Sequence, residues 1–181
     1  MKSLQGVKIR PLQKSDTPKI QKLIKKHLDM NEDWVYKGEP WYYWTLSNLF
    51  SDTCLVAEKD SKLVGFVAAY KDQVTNKEIF IEDILIDYDL RRNKLGTKLV
   101  SKLIQIAKTN NCRSVWGTID PKNKISLDFF KSQGFENNTT KFSSKFVFNG
   151  SVKIQKIENE NAFLNLKGPD SHRCIYQKHL N

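Results

Sequence analysis

IFIEDILIDYDLRRNKLGTKLVSKLIQIA, residues 79–107, holds a strand, a cation-rich turn and a helix in one uninterrupted run. Ile79, Phe80, Ile81, Ile84, Leu85 and Ile86 are the β-branched, aromatic and aliphatic types that fit a pleated, half-buried surface. Leu95, Leu99, Leu103 and Ala107 then recur at helical spacing along one face. Between the two periods Arg91, Arg92, Asn93, Lys94, Gly96, Thr97 and Lys98 crowd the turn and the first helical residues. The first N–H groups of a helix have no intrahelical acceptor, and its dipole favours negative charge there. Strand, turn and helix with donors massed at the helix start form an anion site of the kind that takes phosphate.

Outward from this run the chain alternates strands and helices. Downstream, residues 113–119 (RSVWGTI) read as a buried strand broken by Asp120 and Pro121, and 123–132 as a short helix ending at Gly134. Residues 142–148 and 172–179 read as late strands, and the polar stretch 150–169 between them accommodates one extra hairpin. Upstream, 52–58 and 62–70 form a hairpin through the turn Lys59-Asp60-Ser61. Ser15, Asp16 and Pro18 start a helix with Ile20, Leu23, Ile24 and Leu28 on its apolar face, and residues 7–12 are a first strand. This order predicts an α/β fold with a mixed, mostly antiparallel central sheet flanked by helices, not a doubly wound parallel one.

The 181 residues, 39% hydrophobic and 28% charged, suit one globular domain over 1–181 with one core. The longest apolar runs, around residues 64–69, are too short to cross a bilayer, and the basic N-terminus lacks an apolar signal core. A cytoplasmic protein without a membrane partner is the expectation. Cys54, Cys112 and Cys174 are scattered without metal spacing, so we expect reduced core thiols and no metal. The net charge of +10 calls for an acidic ligand, either nucleic acid or a multiply phosphorylated cofactor, although spread lysines also simply solvate a surface. No nucleic-acid motif accompanies the charge, so no nucleic-acid partner is expected.

One stretch reverses the sign. Residues 29–50 carry Asp29, Glu32, Asp33 and Glu39 against Lys37, together with Trp34, Tyr36, Trp41, Tyr42, Tyr43, Trp44 and Phe50. Carboxylates and aromatic faces together suit a cationic ligand. Asp29, Glu32, Trp34, Tyr36 and Trp41 are the candidates for holding it, with Glu82. A plainer reading also stands: 41–50 is a helix that packs its aromatics into the core.

Two sequence blocks now carry a resemblance. Arg91-Arg92-Asn93-Lys94-Leu95-Gly96 is similar to the pyrophosphate signature R/Q-x-x-G-x-G/A of the GNAT superfamily of acyl-CoA-dependent N-acyltransferases. NKISLDFFKSQGF, residues 123–135, resembles the family's N-x-x-A/S-x-x-F-Y-x-x-x-G-F segment through Asn123, Ser126, Phe129, Phe130, Gly134 and Phe135. Two blocks in order, each with the right element after it, are far more specific than either alone. Phe80 to Ile86 with its Glu-Asp pair looks like diamine and polyamine acetyltransferases. Residues 41–70 look like diaminobutyrate acetyltransferases.

The resemblance implies acetyl-CoA as cofactor and transfer of its acetyl group to a primary amine of a small cationic metabolite. Arg91 to Lys98 would hold the pyrophosphate, and Ile84, Leu85 and Ile86 would pair through their backbone with the pantetheine arm. Asn123, Ser126, Phe129 and Phe130 would complete the cofactor site. A homodimer is expected by resemblance only. Protein or peptide acetylation, or a silent CoA-binding module, are the alternatives.

The chemistry needs a base. An alkylammonium has a pKa near that of lysine, about 10.4, so a proton must leave before attack. Glu82 and Asp83 are the candidate acceptors. In a regular strand they face opposite ways, Glu82 sharing a face with Ile84 and Ile86, unless a bulge redirects one of them. Glu82 is favoured and Asp83 stays open. Two positions depart from the family: Lys94 stands where Gly is usual, and Phe130 stands where many members carry the Tyr that protonates the leaving thiolate. Tyr176, water or the substrate ammonium are the other proton sources.

Overall fold

The computed structural model describes residues 4–27, 40–146 and 153–180, and the chain divides into two compact units between Asn111 and Cys112. In the first unit β1 (Lys8–Pro11), β2 (Leu55–Lys59), β3 (Lys62–Lys71) and β4 (Glu78–Ile86) pair in that order, each antiparallel to the next. They are accompanied by α1 (Thr17–His27), α2 (Pro40–Leu49) and α3 (Leu95–Thr109).

Register assigns the two faces of this sheet. Val56 opposes Phe66 and Phe66 opposes Leu85, so the three share a face. There they join Ile20, Leu23 and Ile24 of α1 and Tyr43 and Leu46 of α2 in one apolar core. The other face, with Gly65 and Val67 of β3 and Ile84 and Ile86 of β4, lies under α3. Leu95, Leu99, Val100, Leu103 and Ala107 of α3 are all buried. Each buried leucine stabilises by about 1.5–3 kcal/mol relative to exposure, which fixes α3 and therefore the turn that precedes it. Gly65 makes that approach possible. A Cβ there would lie 2.8 Å from Ile86 Cδ1, 3.1 Å from the Leu85 carbonyl and 3.6 Å from Leu99 Cδ1.

The hairpin expected at 59–61 forms as a two-residue turn. Asp60 (φ 50°) and Ser61 (φ 61°) are both left-handed, the twist that suits a tight hairpin, and Lys59 opposes Lys62. The strand before it starts later than the sequence suggested. Thr53 and Cys54 donate their N–H groups to the Phe50 carbonyl and close α2, so β2 begins at Leu55.

Before α1, Asp16 is fully buried and accepts from the Gln13 N–H at 2.9 Å. Arg10 grips it with both terminal nitrogens, at 2.6 and 2.9 Å, and reaches Glu58 at 2.5 Å. Burial pushes the Asp16 carboxyl up, but the Arg10 guanidinium and the Gln13 N–H outweigh it and hold it below its ordinary value.

The second unit carries β5 (Ser114–Ile119), α4 (Lys124–Ser132), β6 (Glu136–Asn137), a separate hairpin of β7 (Ile154–Ile157) and β8 (Glu160–Phe163), and β9 (Cys174–His179). β9 is antiparallel to both β5 and β6. The hairpin expected within 150–169 is present, turning through left-handed Glu158 and Asn159. The late strand expected at 142–148 is corrected: Thr139–Phe146 is a 3-10 helix. Asn137 Oδ1 starts it by accepting from the Thr139 N–H and hydroxyl, and Phe142 packs with Phe163, Ile175 and Trp116. Antiparallel strand neighbours with helices on the sheet are the α/β class expected from the sequence.

Candidate functional site

The turn between β4 and α3 is built by its own side chains. Asp87 Oδ1 accepts from the Asp89 N–H at 3.1 Å, and the Leu90 N–H bonds the Asp87 carbonyl at 2.8 Å, shaping a short 3-10 turn over Tyr88–Leu90. Lys26 of α1 donates to both Asp87 oxygens, at 2.7 and 2.9 Å, and to Asp89 at 3.2 Å. Arg91 folds back on the turn: its Nε donates to the Ile86 carbonyl at 3.1 Å and its guanidinium lies 3.8 Å from the Tyr88 ring centroid. Asn93 Nδ2 bonds the Arg91 carbonyl at 3.2 Å. Arg91 and Asn93 are therefore braces of the turn, and the outward cations are the exposed Arg92, Lys94 and Lys98.

Lys94 caps α3 with a left-handed backbone, φ 63° and ψ 16°. That conformation is open to glycine without cost, which is the physical meaning of the usual Gly there. Lys94 adopts it anyway, and Arg92 (φ 60°) does the same two residues earlier. The Lys98 N–H bonds the Lys94 carbonyl at 3.0 Å and begins the helical ladder. The amides of Leu95, Gly96 and Thr97 precede it and have no acceptor within the helix. The Leu95 side chain is core, so that residue can offer only its backbone.

Midway along β4 the ladder is irregular. Ile81 opposes Ala69 and Asp83 opposes Ala68, so the register skips Glu82 and a β-bulge forms. The extra residue cancels the alternation. Phe80 and Glu82 count to one face from below the bulge, Asp83 and Leu85 to the same face from above it, and Ile84 and Ile86 to the face under α3. The expected sharing of a face by Glu82, Ile84 and Ile86 is thus corrected. Both carboxylates stand on the α1–α2 side.

The bulge also places them beside a phenol pair that sequence reasoning missed. Tyr42 of α2 and Tyr70 of β3 meet hydroxyl to hydroxyl at 2.8 Å. Tyr70 stacks on Phe80 (centroids 6.3 Å, 19°) and meets Phe50 edge-on at 5.1 Å. Burial pushes the Tyr42 phenol far up, with the Tyr70 hydroxyl and the charges of Asp83 and Glu82 adding to it. Tyr70 is pushed up to about 12, chiefly by burial, with the Tyr42 hydroxyl lowering it and the charges of Glu82 and Asp83 adding to the rise. Both phenols stay protonated at neutral pH. The only sequence signal was the aromatic run at 41–44, and no local spacing links Tyr42 to Tyr70.

Trp41 lies on the outer side of α2, 67% exposed and stacked on Trp44 at 4.8 Å. Asp29, Glu32, Trp34 and Tyr36 lie outside the described residues. In the second unit Asn123 caps α4, its Oδ1 accepting from the Ser126 N–H at 3.0 Å. Ser126 and Phe129 are half-buried, while Phe130 is buried edge-on against Phe129 at 5.5 Å and Phe135 at 5.0 Å. Tyr176 is fully buried, its hydroxyl near Glu160 without a well-formed hydrogen bond. Glu160 is taken by Lys131 Nζ and Asn137 Nδ2, each at 2.7 Å. Cys54 and Cys174 are buried thiols pushed up to about 11 and about 12, chiefly by burial. Among the described residues no group of His, Cys, Asp and Glu could hold a metal, and no helix is long and apolar enough to cross a membrane.

Comparison with known proteins agrees with both motif blocks. Residues 21–135 match the family model described as the acetyltransferase (GNAT) family. The L-2,4-diaminobutyric acid acetyltransferase of Halalkalibacterium halodurans is 32% identical over 110 residues, covering 61% of this chain and 58% of that protein. The chain therefore spans less than two thirds of the length of this curated relative. Among solved structures, Ard1 from Thermoplasma volcanium superposes with a TM-score of 0.72 at 16% identity, over 97% of this chain and 99% of that one. The diaminobutyrate acetyltransferase of Paenibacillus lautus, solved with L-2,4-diaminobutyric acid and coenzyme A, gives 0.64 at 19% identity, over 97% and 96%. At these identities the two structures speak for the fold.

Proposed function

The chain belongs to the GNAT acetyltransferase family, and on that premise we propose that it transfers an acetyl group from acetyl-CoA to a primary amine of a small cationic metabolite. A diamine, polyamine or diamino acid attacks directly in a ternary complex. The observation that carries this reading is β4 itself: one strand holds two carboxylates beside aromatic rings and ends in a turn of anion donors. The relatives named diaminobutyrate acetyltransferase support the same substrate class.

The turn's donor set fits a pyrophosphate. The amides of Leu95, Gly96 and Thr97, the Thr97 hydroxyl and the cations of Arg92, Lys94 and Lys98 would hold it. Bound acetyl-CoA supplies the activated acyl group. Glu82 takes the proton from the ammonium so that a neutral amine is presented, with Asp83 as the second candidate. Rings around Tyr70 and the second carboxylate hold the cationic remainder. Phe130 offers no proton, so the departing thiolate is served by water or by the proton the amine gives up.

This reading takes residues 1–181 as one domain of a cytoplasmic protein, without nucleic-acid or membrane partners, and takes a homodimer as the assembly to test by light scattering. Free-CoA release with a panel of diamines, polyamines and diamino acids tests the activity. Turnover with at least one, above hydrolysis in its absence, is expected. CoA-dependent thermal stabilisation without turnover on any amine would instead make the chain a silent CoA-binding module.

A further inference from the structure

The β7–β8 hairpin lies beyond residue 135, where the family match ends, and two of its carboxylates meet lysines of α4. Lys131 Nζ donates to Glu160 Oε1 at 2.7 Å, and Lys124 Nζ lies 3.9 Å from Glu158. Two helical turns separate these lysines, so they share one side of α4. Glu160 is also held from behind. Its Oε2 accepts from Asn137 Nδ2 at 2.7 Å, the same amide donates to the Asn161 carbonyl at 3.1 Å, and the buried Tyr176 hydroxyl lies near the carboxylate. Burial pushes the Glu160 carboxyl up, but Lys131 and Asn137 outweigh it and hold it below its ordinary value. α4 has little else to seat it. It is nine residues long, too short to be stable alone, and its buried side chains are Leu127 and Phe130. By helical spacing Ser126 and Phe129 flank that buried stripe on one side, and Lys124 and Lys131 flank it on the other.

Resting on the acetyl-transfer reading above, with Ser126 and Phe129 taken as part of its cofactor site, we infer that the β7–β8 hairpin splints α4 and that Glu160, acting through Lys131, is a positioning residue for acetyl-CoA. A helix seated on two buried side chains can roll about its own axis. With side chains about 5 Å from that axis, a roll of about 10° carries Ser126 and Phe129 by about 1 Å, enough to spoil a positioned site. The ion pair blocks that roll from the flank away from the cofactor side. It does so without touching the cofactor, so its loss appears as weaker cofactor binding and not as lost chemistry. The pair's own strength bounds the effect. Lys131 is half-exposed while Glu160 is 12% exposed, and a pair of this kind shifts a binding equilibrium by no more than about fivefold.

The test reads local order and cofactor affinity separately, and neither needs turnover. Hydrogen exchange of the CoA-free protein is followed over α4, with β5 and β9 as internal references, and calorimetric titration gives the affinity for CoA. Glu160→Gln and Lys131→Met are each expected to speed exchange in α4 several-fold, leave β5 and β9 unchanged, and weaken CoA about threefold. The double variant is expected to be no weaker than either single one, because both remove the same pair. Lys131→Met leaves Glu160 its Asn137 contact, so it reads the pair alone even if Glu160→Gln loosens the whole hairpin. With an amine that turns over, KM for acetyl-CoA is expected to rise while kcat stays within about twofold. Equally faster exchange in α4, β5 and β9, unmoved CoA affinity in Lys131→Met, or additive losses in the double variant would overturn the inference. CoA binding by the wild type without acetyl transfer to any amine would sink the acetyl-transfer reading and leave the splint standing. No CoA binding by the wild type would overturn both.

Discussion

Glu82 and Asp83 are neighbours in sequence and, through one skipped register position, neighbours on one face. A regular strand would have separated them, so the pairing of two carboxylates is a property of the bulge. If Glu82 removes the amine proton, Glu82→Gln should lower kcat about a hundredfold or more, within the usual range for a general base. KM for acetyl-CoA should stay within about twofold, since the anion donors lie beyond the C-terminal end of the strand. Steady-state kinetics at saturating amine check this, and an unchanged kcat would pass the role to Asp83. Lys94 gives a second residue-scale expectation. Its left-handed backbone costs a β-carbon-bearing residue roughly 1–2 kcal/mol, partly offset by the extra chain entropy glycine brings to the unfolded state. Lys94→Gly should therefore stabilise the protein by about 0.5–1 kcal/mol in urea unfolding. It should also raise KM for acetyl-CoA about threefold as one phosphate-facing cation is lost. Lys94→Ala keeps the strain and loses the charge, so it should show the KM rise without the gain in stability.

Elements set these residues in place. α3 is pinned by Leu95, Leu99 and Leu103 against a face of β3 where Gly65 has no side chain, and that contact fixes where the helix begins. The turn before it is held from the other side by Lys26 on Asp87 and Asp89, an exposed cluster worth under about 1 kcal/mol that orients more than it stabilises. The start of α1 depends on a stronger contact. Asp16 is buried under Arg10, whose side chain is itself 27% exposed and keeps Glu58 as a second partner. Asp16→Asn should cost about 1–3 kcal/mol in urea unfolding, below the full cost of breaking a wholly buried pair. The folded-state pKa of Asp16 lies below its unfolded value, so its stabilisation is present above the unfolded carboxylate pKa and is lost as pH falls from there through the lower folded value. Wild type should lose stability more steeply than Asp16→Asn as pH falls below the ordinary carboxylate range of about 4, and parallel curves would remove Asp16 as a contributor to acid stability.

At the scale of the whole molecule the +10 charge meets a cofactor expected to carry several phosphates. Long-range attraction of that kind is screened by salt, with a Debye length of about 10 Å at 0.1 M. Raising ionic strength from about 0.05 to 0.5 M should increase KM for acetyl-CoA several-fold while kcat with a saturating diamine changes little. A KM insensitive to salt would mean that backbone amides of the α3 terminus hold the phosphates and that the lysines only solvate the surface.

The sequence by itself determined what periodicity and short motifs can carry. It carried the β4–turn–α3 run, the hairpin through Lys59-Asp60-Ser61, the short helix over 123–132 and the two blocks that place the chain in its family. Each of these is local, because a helix face, a two-residue turn or an N-cap is specified by residues only a few positions apart. The strand expected at 142–148 failed for a related reason: Phe142 packs with Phe163 and Ile175, contacts no local pattern reports. Only the tertiary structure decided that Glu82 and Asp83 share a face, that Arg91 braces the turn instead of reaching outward, and that Tyr42 meets Tyr70. Those facts depend on a register slip between β3 and β4 and on helix α2 closing over the sheet. Neither is written in any window of the chain, because both are settled by which surfaces must be buried against one another.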